Sequence, residues 1–187
     1  MQQTKKTRIN FTYPAVKTAT NKLIIQECAS ISQGYTIWVG GAPGVGKTTL
    51  ARRFQAYGFL SLDCEDEWNH GSSLPCEDQR SKCKFKGLLE ATEQAHEQFN
   101  TSFVFGACYA RFLVDAPKYV SRVLLLPNPM IYDQRWKARN PKDPQDHEGR
   151  YEESAQLSVY EGVRTIHQHE KESVDETIRR VCEIVKV

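Results

Sequence analysis

The chain has 187 residues, a length that suits one compact domain with a sizeable core. Its composition, 40% hydrophobic and 26% charged, predicts a soluble globular protein, and no apolar run approaches the length of a membrane span. A net charge of +2 singles out no partner, and Lys5, Lys6 and Arg8 lack interleaved aromatics, so nucleic-acid binding is not indicated.

Residues 1–33 read as an N-terminal extension and 34–187 as a single α/β domain, with no internal repeat. The first part carries Lys5, Lys6, Arg8, Lys17 and Lys22 among recurring threonines. That pattern is shared with organellar transit segments, but it lacks arginine richness and contains Pro14. The expected location is the cytoplasm, with organellar import as the alternative. A short helix over Asn21 to Ser32 is predicted before the first strand.

Tyr35-Thr36-Ile37-Trp38-Val39 is a β-branched and aromatic run that stops at Gly40-Gly41, the pattern of a buried strand ending in a turn. Gly41-Ala42-Pro43-Gly44-Val45-Gly46-Lys47-Thr48 then spells out a complete phosphate-binding loop, the Walker A pattern, and Thr49 follows it into a helix. Leu50, Ala51, Phe54 and Tyr57 give that helix its spacing, and Gly58 stops it. Glycines let consecutive N–H groups turn toward phosphate oxygens, and the new helix adds its positive dipole end. Lys47 is placed to lie along the outer phosphates, and the Thr48 hydroxyl to coordinate Mg²⁺. A nucleoside triphosphate with its magnesium is the ligand that this segment predicts.

Phe59 to Asp63 is the second predicted strand, and it ends on a carboxylate. In a doubly wound sheet the ligand crevice lies beyond the carboxyl ends of the strands, so Asp63 is expected to face the loop. It is a candidate to orient or deprotonate a hydroxyl, or to reach Mg²⁺ through water, with Glu65 and Asp66 as alternatives. A polar stretch from Glu65 to Lys82 precedes a helix marked by Phe85, Leu88, Leu89, Thr92, Ala95 and Phe99. Ser102 to Ala107 and Arg122 to Leu126 are the third and fourth strands, the latter ended by Pro127-Asn128-Pro129. A helix from about Ile131 to Arg139 follows, then a polar loop with Pro141, Pro144 and Gly149. Arg135 and Arg139 stand at i and i+4, on one helix face, where both can reach a single ligand. His167 and His169 fall on a short fifth strand or form a surface pair. Ser173-Val174-Asp175-Glu176 is a capping box that opens a last helix with Val174, Ile178, Val181, Cys182 and Val185 on one face. Alternating strands and helices predict a mostly parallel sheet of about five strands, covered on both sides.

The six cysteines, Cys28, Cys64, Cys76, Cys83, Cys108 and Cys182, are laid out neither as a disulfide framework nor, with His70, at zinc-ligand spacings. Together with a nucleotide site they predict a reducing compartment.

From Thr36 to Val185 the sequence resembles the small P-loop kinases that include shikimate, gluconate and adenylate kinases. The resemblance implies a three-layer α/β/α fold with a small lid over about 137–150. It also implies transfer of the γ-phosphoryl group of ATP, with Mg²⁺, to a hydroxyl of a small polar metabolite. It makes Arg135 a base-stacking residue, Arg139 a phosphate clamp and Arg150 a lid group that neutralises transferring charge. Sugar-acid kinases place an aspartate where Asp63 stands. Gly71 to Arg80 and Ala107-Cys108-Tyr109-Ala110-Arg111 are partial matches to gluconate kinase segments, while Gly106-Ala107-Cys108 replaces the three glycines of shikimate kinases. Phe85-Lys86 stands for their Phe-Arg, which keeps the charge but loses the fork. Gly106, Lys86 and Arg111 are thus candidate acceptor contacts, the last two equally readable as surface charges. The third strand lacks the Asp-Gly-hydrophobic-Pro-Arg pattern of nucleoside monophosphate kinases and ends in no aspartate. The missing pattern argues against a nucleoside monophosphate kinase, which is kept as an alternative beside a regulatory or assembly ATPase and a degenerate kinase. The expected state is a monomer or homodimer.

Overall fold

In the computed structural model, residues 36–57, 59–63, 89, 93, 103–106, 110–142 and 148–185 are described. Five strands form one sheet: β1 (Thr36–Gly40), β2 (Leu60–Asp63), β3 (Phe103–Gly106), β4 (Val120–Pro127) and β5 (Val163–Gln168). Their order is β2-β3-β1-β4-β5, and every pairing is parallel. A parallel sheet is buried on both faces, which is why all five residues of β1, Thr36 through Gly40, are buried.

Alternation along the strands divides the core. Ile37, Val39, Val123, Leu125 and Ile166 cluster with α1 (Lys47–Ala56) and the C-terminal helix Val174–Val185 on one face. Trp38 and Leu124, both fully buried, take the other face. There a 3₁₀ turn at Ala110–Leu113 packs on β1 and β4. A Cβ at Gly40 would lie 2.5 Å from Leu113 Cδ1, so the absence of a side chain lets the turn seat on the sheet. Arg122 fastens it by donating to the carbonyls of Val114 (3.3 Å) and Ala116 (3.1 Å).

The remaining helices are α2 (Pro129–Arg139), α3 (Glu148–Gln156) and α4 (Val174–Val185). Helix α2 starts earlier than the predicted Ile131. Asn128 caps it by accepting from the Met130 N–H at 2.9 Å, and Pro129 fills a first-turn position where its missing N–H costs nothing. Helix α3 corrects the expectation of a polar loop running to Arg150: Arg150 lies on a helix that turns Tyr151 and Ser154 inward, followed by the buried Leu157 in a 3₁₀ turn. At α4 the predicted cap is present, with Ser173 Oγ accepting from the Glu176 N–H at 3.2 Å.

Cys182 is buried in the core and disulfide-bonded, its partner lying outside the described residues, which departs from the expectation of reduced cysteines. The N-terminal extension, the Glu65 to Lys82 stretch and Lys86 also lie outside them, and of the predicted helix from Phe85 to Phe99 only Leu89 and Glu93 are described, both helical. Among the described residues, no helix is long and apolar enough to cross a membrane.

Candidate functional site

β1 sits where the strand order reverses, with β3 and β2 on one side and β4 and β5 on the other. Ligand crevices of open α/β sheets form at such a point, beyond the carboxyl ends of the strands. Gly41 to Thr48 occupies it, between the end of β1 and the start of α1.

The loop's shape follows from its glycines. Gly41 has φ +143° and is buried so tightly that a Cβ would lie 2.7 Å from the Leu125 carbonyl oxygen and 2.9 Å from Val45 Cγ2. Gly46 caps α1 in the left-handed region, at φ +103°, with no side-chain hydrogen bond to the first turn. No cap oxygen therefore competes for the N–H groups at the positive end of α1. Ala42 and Val45 are buried and anchor the loop in the core, while Pro43, Gly44, Lys47 and Thr48 are half-buried and Thr49 is exposed. Lys47 Nζ folds back over the loop and donates to the carbonyls of Gly41 (2.9 Å) and Ala42 (3.0 Å). Its ammonium is thereby held at the mouth of the cradle.

Helix α2 closes one side. Arg135 Nη1 donates to the Val45 carbonyl at 3.3 Å and to Gln168 Oε1 at 3.1 Å, joining the loop to the end of β5. Trp136, its neighbour, is 3.8 Å from where a Gly44 Cβ would be. Arg150, from α3, places its guanidinium 5.9 Å from the centre of the Trp136 ring, a cation–π contact. Tyr132 and Tyr151 stack beneath, centroids 5.1 Å apart, and the Tyr151 hydroxyl donates to the Pro127 carbonyl at 2.7 Å. Arg139, in the last turn of α2, is exposed. Of the predicted cationic residues, Lys47 and Arg135 touch the loop directly, and Arg150 reaches it through Trp136.

On the other side of β1, backbone register aligns Asp63 of β2 with Gly106 of β3, and Gly106 with Val39. With strands about 4.8 Å apart, the Asp63 backbone stands about 10 Å from that of β1 at the carboxyl edge. Arg111 lies in the 3₁₀ turn after β3, in a sequence stretch whose side chain, like that of Asp63, is outside the described residues.

Two networks that sequence reasoning missed hold α4 in place. Arg53 of α1 grips Asp175 with two bonds, 2.6 and 2.8 Å, and the Tyr57 hydroxyl donates to the same carboxylate at 2.6 Å. Hydrogen bonding from Arg53 holds the Asp175 carboxyl below its ordinary range, and burial with Asp175 as acceptor pushes the Tyr57 hydroxyl up to about 12. Glu172, its side chain 2% exposed, accepts from the His169 N–H (3.0 Å), Thr177 Oγ1 (3.0 Å) and Arg180 (2.8 Å). These bonds brace the turn between β5 and α4. Gln168 was missed as well, though its place at the carboxyl end of a strand is the signal that could have found it.

Neither a protein-family profile nor a curated protein sequence matches the chain. Solved structures do. A gluconokinase from Sinorhizobium meliloti superposes with a TM-score of 0.55 at 15% identity, over 82% of this chain and 97% of that one. A shikimate kinase from Bacteroides thetaiotaomicron gives 0.54 at 16%, over 82% and 99%. With a parallel sheet in the order β2-β3-β1-β4-β5, helices on it and a glycine loop leading from β1 into α1, the chain has the fold of the small P-loop kinases.

Proposed function

We propose that this protein is a Mg²⁺-dependent phosphotransferase that moves the γ-phosphoryl group of ATP to a hydroxyl of a small polar metabolite, a sugar acid or similar. The observation that carries this reading is a complete phosphate cradle at the switch point of the sheet, its lysine folded over the loop, with a carboxylate residue ending a strand two places away. The similarity in fold to a gluconokinase and a shikimate kinase supports the same class of acceptor.

In this account the loop amides, the N-terminus of α1 and Lys47 hold the phosphates, with Arg135 beside them. Thr48, in the first turn of α1, supplies a hard oxygen donor of the kind magnesium prefers. Magnesium, when bound, neutralises charge on the outer phosphates. Asp63 accepts the proton of the attacking hydroxyl as its oxygen bonds to the γ-phosphorus and the bond to the β–γ bridging oxygen breaks, releasing ADP. Arg139 and Arg150 offset charge on the transferring group, and Lys86, Gly106 and Arg111 contact the acceptor. Such catalysis rests on positioning and charge, so most of these groups are donors. The partner of the site is the small acceptor molecule.

A regulatory ATPase is the second reading, favoured by one feature: β3, next to β1, ends on Gly106 rather than on a carboxylate. Asp63→Asn separates the two. As a kinase, the variant keeps ATP affinity within about twofold and loses about a hundredfold or more in phosphoryl transfer. Unchanged turnover of ATP in Asp63→Asn would remove Asp63 from the chemistry and favour the regulatory reading.

A further inference from the structure

Besides the base-stacking role that the resemblance implies for it, Arg135 has its guanidinium bonded to the loop itself. Nη1 reaches the Val45 carbonyl at 3.3 Å and the Gln168 side-chain carbonyl at 3.1 Å. The Val45 carbonyl belongs to the same planar trans peptide as the Gly46 N–H, so the two point in opposite directions. Holding the carbonyl toward α2 therefore aims the Gly46 N–H away from α2. Gly46 is also the residue beside which a Cβ would meet nothing within 4 Å, so the space next to this peptide is open. One of the two bonds flanking this peptide belongs to Gly46, at positive φ, where a glycine backbone resists reorientation less than an ordinary residue would. Arg135 holds the peptide from outside the loop, through the Val45 carbonyl.

From this geometry we infer that Gln168 is a positioning residue for the phosphate cradle. It holds Arg135 against the Val45 carbonyl, and Arg135 in turn locks the Val45–Gly46 peptide with its N–H presented to the polyphosphate. An arginine offers only donors, so Gln168 must turn its oxygen toward Arg135, and the amide is fixed in one orientation. The clamp ties β5 to the loop across the carboxyl edge, and it acts on phosphate binding rather than on the base. It rests on the proposed nucleotide site but not on any acceptor.

The test is calorimetric binding of two probes, Mg·ATP and Mg·tripolyphosphate, to the full chain and to Gln168→Ala, Arg135→Ala and the double variant, with thermal melts to verify folding. Tripolyphosphate has no base, so a residue that only stacks on a base does not affect it. The clamp predicts that Gln168→Ala weakens both probes alike, by about tenfold, the cost of one hydrogen bond to a charged group. It predicts further that Gln168→Ala adds nothing once Arg135 is alanine. Folded variants whose ATP affinity falls while tripolyphosphate affinity stays unchanged, or whose losses simply add, overturn the clamp and leave the nucleotide site standing. A wild-type chain that binds neither probe overturns the nucleotide site and the clamp together. If Gln168→Ala does not fold, Gln168→Leu, which keeps the bulk and removes the acceptor, is read in the same way.

Discussion

Two glycines in the phosphate loop are required for different reasons, and the difference is measurable. At Gly41 a Cβ would meet a backbone oxygen at 2.7 Å, an atom that cannot swing aside, and the residue also has positive φ. At Gly46 the space is open and only the left-handed backbone, at φ +103°, resists a side chain. Gly41→Ala is therefore expected to lower unfolding stability by about 3 kcal/mol, strain and overpacking together. Gly46→Ala should cost about 1 to 2 kcal/mol and still impair ATP binding, because the peptide it distorts is the one facing the phosphates. Urea unfolding of the two variants checks this, and equal losses would contradict the contrast. These residues were legible in the sequence because a phosphate cradle is contiguous: its glycines, Lys47 and Thr48 lie within a single turn of chain. The Arg135–Gln168 contact was not, since it joins positions 33 apart through a strand order that no local pattern encodes.

Among the elements, α4 is held to α1 by the Arg53–Asp175–Tyr57 cluster, and this gives the fold a pH dependence at both ends. The Asp175 carboxyl titrates below its ordinary 3.8 in the folded state, so its stabilising contribution is complete above that value and is lost as pH falls through the folded value. Tyr57 is shifted from 10.0 up to about 12, so its contribution is complete below 10 and is lost as pH rises toward 12. Asp175→Asn should lower stability at neutral pH by about 1 kcal/mol, because the pair is partly exposed. It should also flatten the loss as pH falls below about 3.8. Tyr57→Phe should flatten the loss between about pH 10 and pH 12, as read from urea midpoints across pH. Unaltered slopes would remove the cluster from the account. Helix α4 itself was readable, from its cap at Ser173 and its apolar stripe. Helix α3 was not, because it is polar along most of its length and carries Gly149, so its inner side shows only Tyr151 and the small polar Ser154. The start of α2 was overlooked for a related reason: Pro127-Asn128-Pro129 ends a strand and also caps a helix, and only the end was read.

At the level of the whole molecule, the strand-and-helix alternation predicted a covered parallel sheet, and the structure has one, with β1 at its centre and the phosphate loop at the reversal of strand order. What alternation cannot supply is the order itself, which places Asp63 two strands from the loop with Gly106 between them. The proposed transfer rests on that placement of a carboxylate residue at the carboxyl edge of the sheet, about 10 Å from β1 along the backbone. The most direct test follows the phosphorus. Phosphorus NMR of Mg·ATP incubated with the protein and a panel of sugar acids, sugars and nucleotides should show the γ-phosphoryl resonance replaced by that of a phosphate ester, with one ADP formed per ester. Release of ADP with inorganic phosphate alone, and no phosphorylated product from any member of the panel, would contradict the account.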